Sequence, residues 1–498
     1  MISVAEPKVA REAEKRFDWP LCYDAENYIL DKIDSFLARN RFAASLSDRM
    51  LRETGTLFLD WIDHIVLGAQ ASVDVGPGPK AAKRDSLSPG ERAGVRGNGT
   101  SEVSDVLRNL GYRKESSAEA SSGKTVLWHP EAMLPRVILD RKAQATDYPI
   151  TIALRVDSIA DFMLAHRHTS EPEGTPLSRF RRLTVAEENG ASLDVIERRG
   201  YRGYLLEKKF DPAPFLKAQE LWKTRPRLFA SDEEGFTRTQ TVLDRVIDLV
   251  GQDLACKIVF EQERAYWQGR NRAAQIQKAR QDKLGLGWAN HDHHTFRSSR
   301  EHFVDLMRVL EKLGFERRER YYAGAQAGWG AQILEQSVEG IVAFCDVDLQ
   351  PEETEIDFSR KKLPPSSKLG TIGLWVGLHG ESVLEAGLHH LECRFDYSLL
   401  RDQLADLNVN VMKPFSDFPF LKQAFTEGER WPVRRERVER LRDAGLIDSK
   451  QFDQFIREGA IGSHLENLQR KGGFKGFNQK SVSVIIQATD PRLQHANA

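Results

Sequence analysis

The chain of 498 residues repeats one order of local features, and this repeat constrains its fold more than any other part of the sequence. Helix-like text leads into W-x-D-H at residues 61–64 and into W-x-N-H-D-H at residues 288–293. Each motif lies in a short apolar segment typical of a buried strand, and is followed by a helix that ends in Leu-Gly-aromatic and then by further strands. The repeat predicts an α+β fold in which one strand-helix-strand-strand module is used twice.

Periodicity and composition divide the rest of the chain. We expect N-terminal helices in 1–57, the first module in 58–156, a mainly helical insertion in 157–285, the second module in 286–360 and a C-terminal α+β extension in 361–498. Residues 74–102 are rich in Gly, Pro, Ser and charged side chains, which predicts a disordered surface loop. The glycine-rich stretch 371–378 is predicted to be a pair of strands.

Charge and hydropathy indicate which partners to expect. The 72 basic and 73 acidic side chains nearly cancel, so we expect no nucleic-acid partner. No apolar run approaches the roughly 18 residues of a membrane helix, and the N-terminus has no apolar core of a signal peptide, so we expect a cytoplasmic protein without membrane contact. The four cysteines are far apart, which indicates neither disulfides nor a zinc knuckle. The oligomeric state stays open.

Two Asp-His pairs are the candidate metal ligands. Asp63-His64 and Asp292-His293 each place an imidazole on a strand of one module, beside a carboxylate that can fix its tautomer. If the modules come together, both imidazoles share one cavity and need one carboxylate to complete the two-His, one-carboxylate set of non-haem Fe(II).

The acidic run 352–358 offers that carboxylate. Strand alternation would point Glu355 and Asp357 to the same side, with Asp357 the first choice of ligand and Glu355 the alternative. Other choices remain open: His291 shares a side with His293 and could replace it, His389-His390 is a rival pair, and Glu335 or Glu392 could supply the carboxylate. No P-loop, dinucleotide fingerprint, H-E-x-x-H or G-x-S-x-G motif occurs, so nucleotide binding and serine hydrolysis have no support.

The order of short motifs resembles the 2-oxoadipate dioxygenase/decarboxylase (hydroxyglutarate synthase) family, which has a vicinal oxygen chelate fold. That family shows D-H-x-A-F-R-T, L-G-Y, L-W-F, L-P-R-I, N-H-x-T, L-L-Q-S-S and I-E-F-A-E-R. This chain has, in the same order, D-H-I-V at 63–66, L-G-Y at 110–112, L-W-H-P at 127–130, L-P-R-V at 134–137, D-H-H-T at 292–295, I-L-E-Q-S at 333–337 and I-D-F-S-R at 356–360.

The resemblance implies paired βαβββ modules that form a mixed β-sheet cavity, with large helical additions. It also implies that His64, His293 and Asp357 bind Fe(II), that a 2-oxo acid chelates the ion, and that O2 drives conversion to a 2-hydroxy acid and CO2. The implied partners are therefore a small 2-oxo acid, such as 2-oxoadipate, and O2.

The chain departs from the family at two positions. The family's Arg, four residues after the first histidine, is Gly68 here, whereas Arg297 stands four residues after His293. Arg297 is therefore the candidate clamp for a substrate carboxylate, the alternative being that it begins the turn before the next helix. The third ligand would be Asp rather than Glu. Two other functions stay open: a non-catalytic protein that binds a small acid or a protein partner, and another metal-dependent reaction of the fold, either isomerisation or extradiol cleavage.

Overall fold

The computed structural model describes residues 19–68, 99–115, 124–140, 149–366 and 368–477. The helices in these ranges are α1 Tyr23–Leu37, α2 Arg41–Arg49, α3 Gly99–Asn109, α4 Ile159–His166, α5 Pro212–Lys223, α6 Asp232–Val250, α7 Gln252–Gln268, α8 Arg272–Asp282, α9 Phe303–Lys312, α10 Thr371–His379, α11 Tyr397–Ala405, α12 Arg435–Asp443 and α13 Ser449–Glu458. The strands are β1 Ile62–Gly68, β2 Arg113–Lys114, β3 Lys124–Trp128, β4 Arg136–Asp140, β5 Ile150–Arg155, β6 Phe180–Glu188, β7 Ala191–Arg198, β8 His291–Arg297, β9 Glu316–Tyr322, β10 Trp329–Gln336, β11 Ile341–Asp348, β12 His390–Arg394, β13 Ser416–Phe418, β14 Leu421–Phe425, β15 Glu429–Trp431 and β16 Ala460–Arg470.

These strands form two mixed sheets, and the predicted α+β class is confirmed. The first sheet has the order β2-β3-β4-β1-β5-β7-β6, and the second β13-β14-β16-β12-β8-β11-β10-β9 with β15 on β16. In each half a βαβββ unit is present, because the first strand pairs in parallel with the fourth: β1 with β4, and β8 with β11. A fifth strand then adds antiparallel to the first, β5 to β1 and β12 to β8.

The repeat extends further than the two predicted modules. After the fifth strand, each half returns with a strand that is parallel to it, β7 on β5 and β16 on β12. Strands β6 and β7 lie within the segment 157–285, so this segment adds two strands to the first sheet besides its helices.

The repeated Leu-Gly-aromatic motif is the C-terminal cap of the module helix. Gly111 and Gly314 have φ of 92° and 83°, the left-handed region that glycine adopts at little cost. The aromatic residue that follows donates its N–H back into the helix, Tyr112 to the Leu107 carbonyl at 3.0 Å and Phe315 to the Leu310 carbonyl at 3.1 Å. Both aromatic side chains are buried, so the cap also fixes the helix on its sheet.

The helices of the 157–285 segment cover one face of β8. Phe260 of α7 contacts the rings of His294 and Phe296, at centroid distances of 5.0 and 5.8 Å. Because side chains alternate along a strand, His293 and Arg297 project from the opposite face. The helices of residues 157–285 therefore cover the face of β8 that carries His294, and the face that carries His293 borders a cavity.

The expectation of a strand pair at residues 371–378 is wrong, because this stretch forms α10. The buried carboxylate of Asp348 accepts hydrogen bonds from the backbone N–H groups of Gly370 (2.8 Å), Ile372 (3.0 Å) and Gly373 (3.0 Å) at the start of the helix. An acceptor from a distant strand thus satisfies donors that a helix leaves open.

Other expectations concern the loops. The expected strand at 352–358 is a turn that begins with a short 3-10 helix at Pro351–Glu353. Residues 74–98 of the expected loop 74–102 lie outside the described residues. Residues 99–102 begin α3. Among the described residues, every helix is too short or too polar to cross a bilayer.

Candidate metal centre

Three adjacent strands of the second sheet bring acidic and imidazole side chains together. Register pairs His293 of β8 with Glu392 of β12, and Glu392 with Glu466 of β16. Two residues before Glu392, and so on the same face of β12, His390 pairs with His464. Residues in register on neighbouring strands point to the same face, so these side chains converge.

The convergence is close. The His293 Nε2 atom contacts the Glu392 carboxylate, and the His390 Nε2 atom lies 3.0 Å from Glu466 Oε2. One ligand atom from each of these four residues lies within 4.8 Å of the others, and all four are buried. Imidazole nitrogen with carboxylate oxygen is a donor set that suits divalent metals of the first transition series. These residues therefore form a site that can hold a metal ion.

The ionised forms of the two glutamates are disfavoured at this site. Burial raises the pKa of Glu392, partly opposed by His293, and burial together with Glu392 raises the pKa of Glu466 well above its usual value. The Gln423 side-chain amide donates to both carboxylates, at 3.0 and 3.2 Å. Burial also lowers the pKa of His390, which favours the neutral imidazole that binds metals. A divalent ion between the carboxylates would offset their repulsion.

The cavity beside the cluster has a volume of about 80 Å³, and aromatic and polar side chains share its lining. The rings of six aromatic residues line it: Tyr321, Trp329, Phe344, Phe415, Phe425 and Phe477. This volume is well below the roughly 300 Å³ at which ordinary ligand pockets begin. A substrate of several heavy atoms must therefore enlarge the cavity to enter.

Arg297 is the cationic side chain of the cavity lining. Its guanidinium Nε lies 3.5 Å from Asp346 Oδ2 of β11 and its charge lies 5.5 Å from the Trp375 ring. Burial raises the pKa of Asp346 to about 7, although Arg297 opposes the shift. Arg297 is the last residue of β8, and its backbone N–H donates to Ser382 Oγ at 2.6 Å.

No protein-family model matches the chain, and no curated protein matches its sequence. Solved structures resemble it at 13% identity. A proposed hydrolase from Shewanella frigidimarina has a TM-score of 0.32, with 45% of this chain and 98% of that chain covered. A mutant of 4-hydroxymandelate synthase from Streptomyces coelicolor has 0.25, with 79% and 94% covered. Methylmalonyl-CoA epimerase from Mycobacterium tuberculosis has 0.21, with 36% and 88% covered. The functional argument therefore rests on the geometry of the site.

The expected ligand set of His64, His293 and Asp357 does not come together. His293 is in the cluster, and the alternatives His390 and Glu392 join it. Asp357 lies in the turn after β11, where its carboxylate accepts from Ser359 Oγ at 2.7 Å and pairs with Arg360 at 3.2 Å. Asp357 stays outside the cluster because residues 352–358 form a turn and not the expected strand.

Two of the remaining candidates also lie outside the cluster. Glu355 is exposed in the same turn as Asp357. Glu335 of β10 pairs with Lys475 at 3.1 Å. His291, at the start of β8, contacts the ring of His294 at 5.2 Å. It belongs neither to this cluster nor to the second group of possible ligands among the described residues, which is His389, His390 and His464.

His64 occupies in the first sheet the position that His293 has in the second. Its register partner is Ala153, which in turn pairs with Asp194. Alanine thus stands where the second half has Glu392, and a full ligand set is missing around His64 in the described part of the first sheet. The predicted duplication is present, but His64 and His293 lie in two separate sheets.

The sequence analysis missed Glu466 of the cluster, and it missed His464, which forms a second group of possible ligands with His389 and His390. A signal for them exists, because the tripeptide His-Leu-Glu occurs at 390–392 and again at 464–466. Both tripeptides have the period of a strand, with the polar residues on one side. In the structure they lie side by side in parallel register.

Proposed function

We propose that this chain is a metal-dependent enzyme, and that it is an Fe(II)-dependent dioxygenase that converts a 2-oxo acid to a 2-hydroxy acid and CO2. The observation that carries the proposal is the convergence of His293, His390, Glu392 and Glu466 in a buried cavity that also contains Arg297. The nitrogen and oxygen donors of this group fit Fe(II). An ion that prefers sulfur ligands fits less well, because the group contains no thiolate and the buried Cys393 is not part of it.

The protein residues have separate tasks in this reaction. His293, His390 and one carboxylate, that of Glu466, would hold the ion, which would supply chelation of the 2-oxo acid and the reactivity of O2. Gln423 donates to both carboxylates and so fixes the oxygens that face the ion. The aromatic rings of the cavity lining would limit the access of water to the reacting groups once a substrate fills the cavity.

Arg297 is the candidate receptor for a substrate carboxylate. A planar guanidinium can receive a carboxylate with two parallel hydrogen bonds. Asp346 holds Arg297 in the substrate-free protein, and because its pKa lies near 7 it can take up a proton when a second carboxylate approaches Arg297. The exchange keeps the charge in the cavity unchanged.

The test is anaerobic reconstitution with Fe(II), followed by metal analysis and oxygen uptake with a panel of 2-oxo acids. We expect stoichiometric iron in the wild type and in His64→Ala, and loss of iron in His293→Ala and Glu466→Ala. His64→Ala is the matched control, because His64 has the equivalent position in the other sheet. Equal iron content in all four proteins would contradict the site.

The number of possible protein ligands favours a second candidate function, a metal-dependent isomerisation. If all four residues bind a six-coordinate ion, two positions remain, which suffice for a chelating substrate but leave none for O2. Such an ion would act as a Lewis acid in an isomerisation. Oxygen uptake separates the candidates, because an isomerase exchanges substrate hydrogen with solvent and consumes no O2.

A further inference from the structure

Each half of the chain ends its last module strand with an arginine whose side chain is buried. Arg198 is the last residue of β7 and Arg470 the last residue of β16. They stand four residues after Asp194 and Glu466, which are themselves equivalent in register. The two arginines thus occupy one position of the repeat.

In the second half, Arg470 binds the carboxylate that orients His293. Its Nε and Nη2 atoms donate to the two oxygens of Asp292, at 3.0 and 2.9 Å. Asp292 Oδ1 in turn lies 3.1 Å from His293 Nδ1. Since a carboxylate only accepts, this contact keeps the proton on Nδ1 and leaves Nε2 to face Glu392.

The same arginine holds the segment that covers the cavity. Arg470 Nη1 donates to the carbonyls of Phe474 (3.3 Å) and Gly476 (2.6 Å), and its charge lies 5.6 Å from the Phe477 ring. Phe477 meets the His293 ring edge-on at 4.9 Å and forms part of the cavity wall. We call residues 471–477 the strap.

The first half repeats this arrangement contact by contact. Arg198 donates through Nε and Nη2 to Asp63, at 2.7 and 2.8 Å, and Asp63 lies 2.7 Å from His64 Nδ1. Its Nη1 donates to the carbonyls of Tyr201 (3.4 Å) and Gly203 (2.5 Å). Tyr204 then meets the His64 ring edge-on at 4.8 Å.

What differs is the surroundings of the histidine. His64 faces Ala153 where His293 faces Glu392, and Thr151 and Ser192 stand in the register positions of His390 and His464. The arginine arrangement is therefore common to both halves, but only in the second half does it act on a candidate metal ligand.

We propose that Arg470 is a positioning residue that couples the His293 imidazole to the strap over the cavity. The proposal rests on the metal site proposed above. A substrate larger than the cavity of about 80 Å³ must displace a wall, and the strap is the wall that Arg470 holds. Movement of the strap then acts, through Arg470 and Asp292, on the orientation of His293.

The experiment compares Arg470→Lys with Arg198→Lys in the full chain. Lysine keeps the charge but loses the planar fork that spans Asp292 and two carbonyls. The readouts are Co(II) affinity, the Co(II) absorption spectrum, and amide hydrogen exchange of 471–477 and 199–204 in the metal-free proteins. We expect Arg470→Lys to weaken Co(II) binding about 10- to 100-fold, to change the spectrum and to speed exchange in the strap. Arg198→Lys should speed exchange only at 199–204 and leave Co(II) binding unchanged.

Two results would overturn the inference: wild-type Co(II) affinity in Arg470→Lys despite faster strap exchange, or an equal loss of affinity in Arg198→Lys. If Arg470→Lys does not fold, Asp292→Asn takes its place, because it keeps an acceptor for His293 but removes the charge that holds Arg470. Asp292→Asn should weaken Co(II) binding to a similar extent, and wild-type affinity in that variant would overturn the coupling. A wild-type protein that binds no Co(II) would instead show that the proposed metal site is wrong, and the coupling would fall with it.

Discussion

Glu392 lies directly opposite His293 on an antiparallel neighbouring strand, and their side chains touch in the interior of the second sheet. Neither side chain can rotate away from the other into solvent, because both residues are buried. Burial raises the pKa of Glu392, and burial together with Glu392 raises the pKa of Glu466, so both carboxylates are costly to ionise in the metal-free protein. A bound cation would offset that cost.

The first prediction is that Glu466→Gln stabilises the metal-free protein while weakening metal binding. Because burial raises the pKa of Glu466, its carboxylate disfavours the folded state increasingly as pH rises, and the amide has no such charge. Urea unfolding in EDTA at pH 8 should show an equal or higher free energy of unfolding for the variant. The same protein should bind Co(II) at least about 10-fold more weakly.

Asp194→Asn is the control for this prediction. Asp194 is the register equivalent of Glu466 in the first sheet, and burial raises its pKa as well. It should change the free energy of unfolding in the same direction without changing Co(II) affinity. A Glu466→Gln protein that is less stable than the wild type and still binds Co(II) normally would contradict the prediction.

The sequence predicts the duplicated modules because their evidence is local. The W-x-D-H strands and the Leu-Gly-aromatic caps involve residues a few positions apart, and both recur in the structure. The assembly of the site is not local. His293 and Glu466 share a cluster because β12 lies between β8 and β16 and places Glu392 beside both of them. Strand periodicity does not encode this order of strands. The helix α10 likewise depends on Asp348, which is 22 residues away from Gly370 in sequence.

The second prediction concerns pH and Asp346. Its folded pKa of about 7 lies above the unfolded value of 3.8, so the wild type gains stability in acid and loses it as pH rises through about 7. Asparagine does not titrate. The free energy of unfolding of Asp346→Asn, relative to the wild type, should therefore increase by about 2 to 3 kcal/mol between pH 5 and pH 8. Urea titrations at several pH values measure the difference, and a difference independent of pH would show that Asp346 titrates in its ordinary range.

The third prediction concerns Arg297 in the proposed reaction. Arg297→Lys keeps a cation near Asp346 but cannot receive a carboxylate with two parallel N–H groups. We expect KM for the best 2-oxo acid to rise about 10-fold or more, with iron content unchanged, since Arg297 is not in the ligand group. Steady-state oxygen uptake and metal analysis provide both values. A normal KM in Arg297→Lys would mean that Arg297 pairs with Asp346 and does not bind the substrate.

The last prediction concerns the cap that ends the first module helix. At Gly111, with φ of 92°, a Cβ atom would lie 2.6 Å from His129 Nε2, which is itself 3.0 Å from the Leu110 carbonyl. Gly111→Ala therefore combines backbone strain with a clash that breaks this contact. Gly324 is the matched control: it has φ of 99° and no atom within 4 Å of its Cβ position, so Gly324→Ala carries the backbone strain alone. We expect Gly324→Ala to cost about 1 kcal/mol and Gly111→Ala at least about 1 kcal/mol more, measured by urea unfolding. Equal costs would mean that His129 moves aside freely, and that the cap is held by the conformation of glycine rather than by its packing.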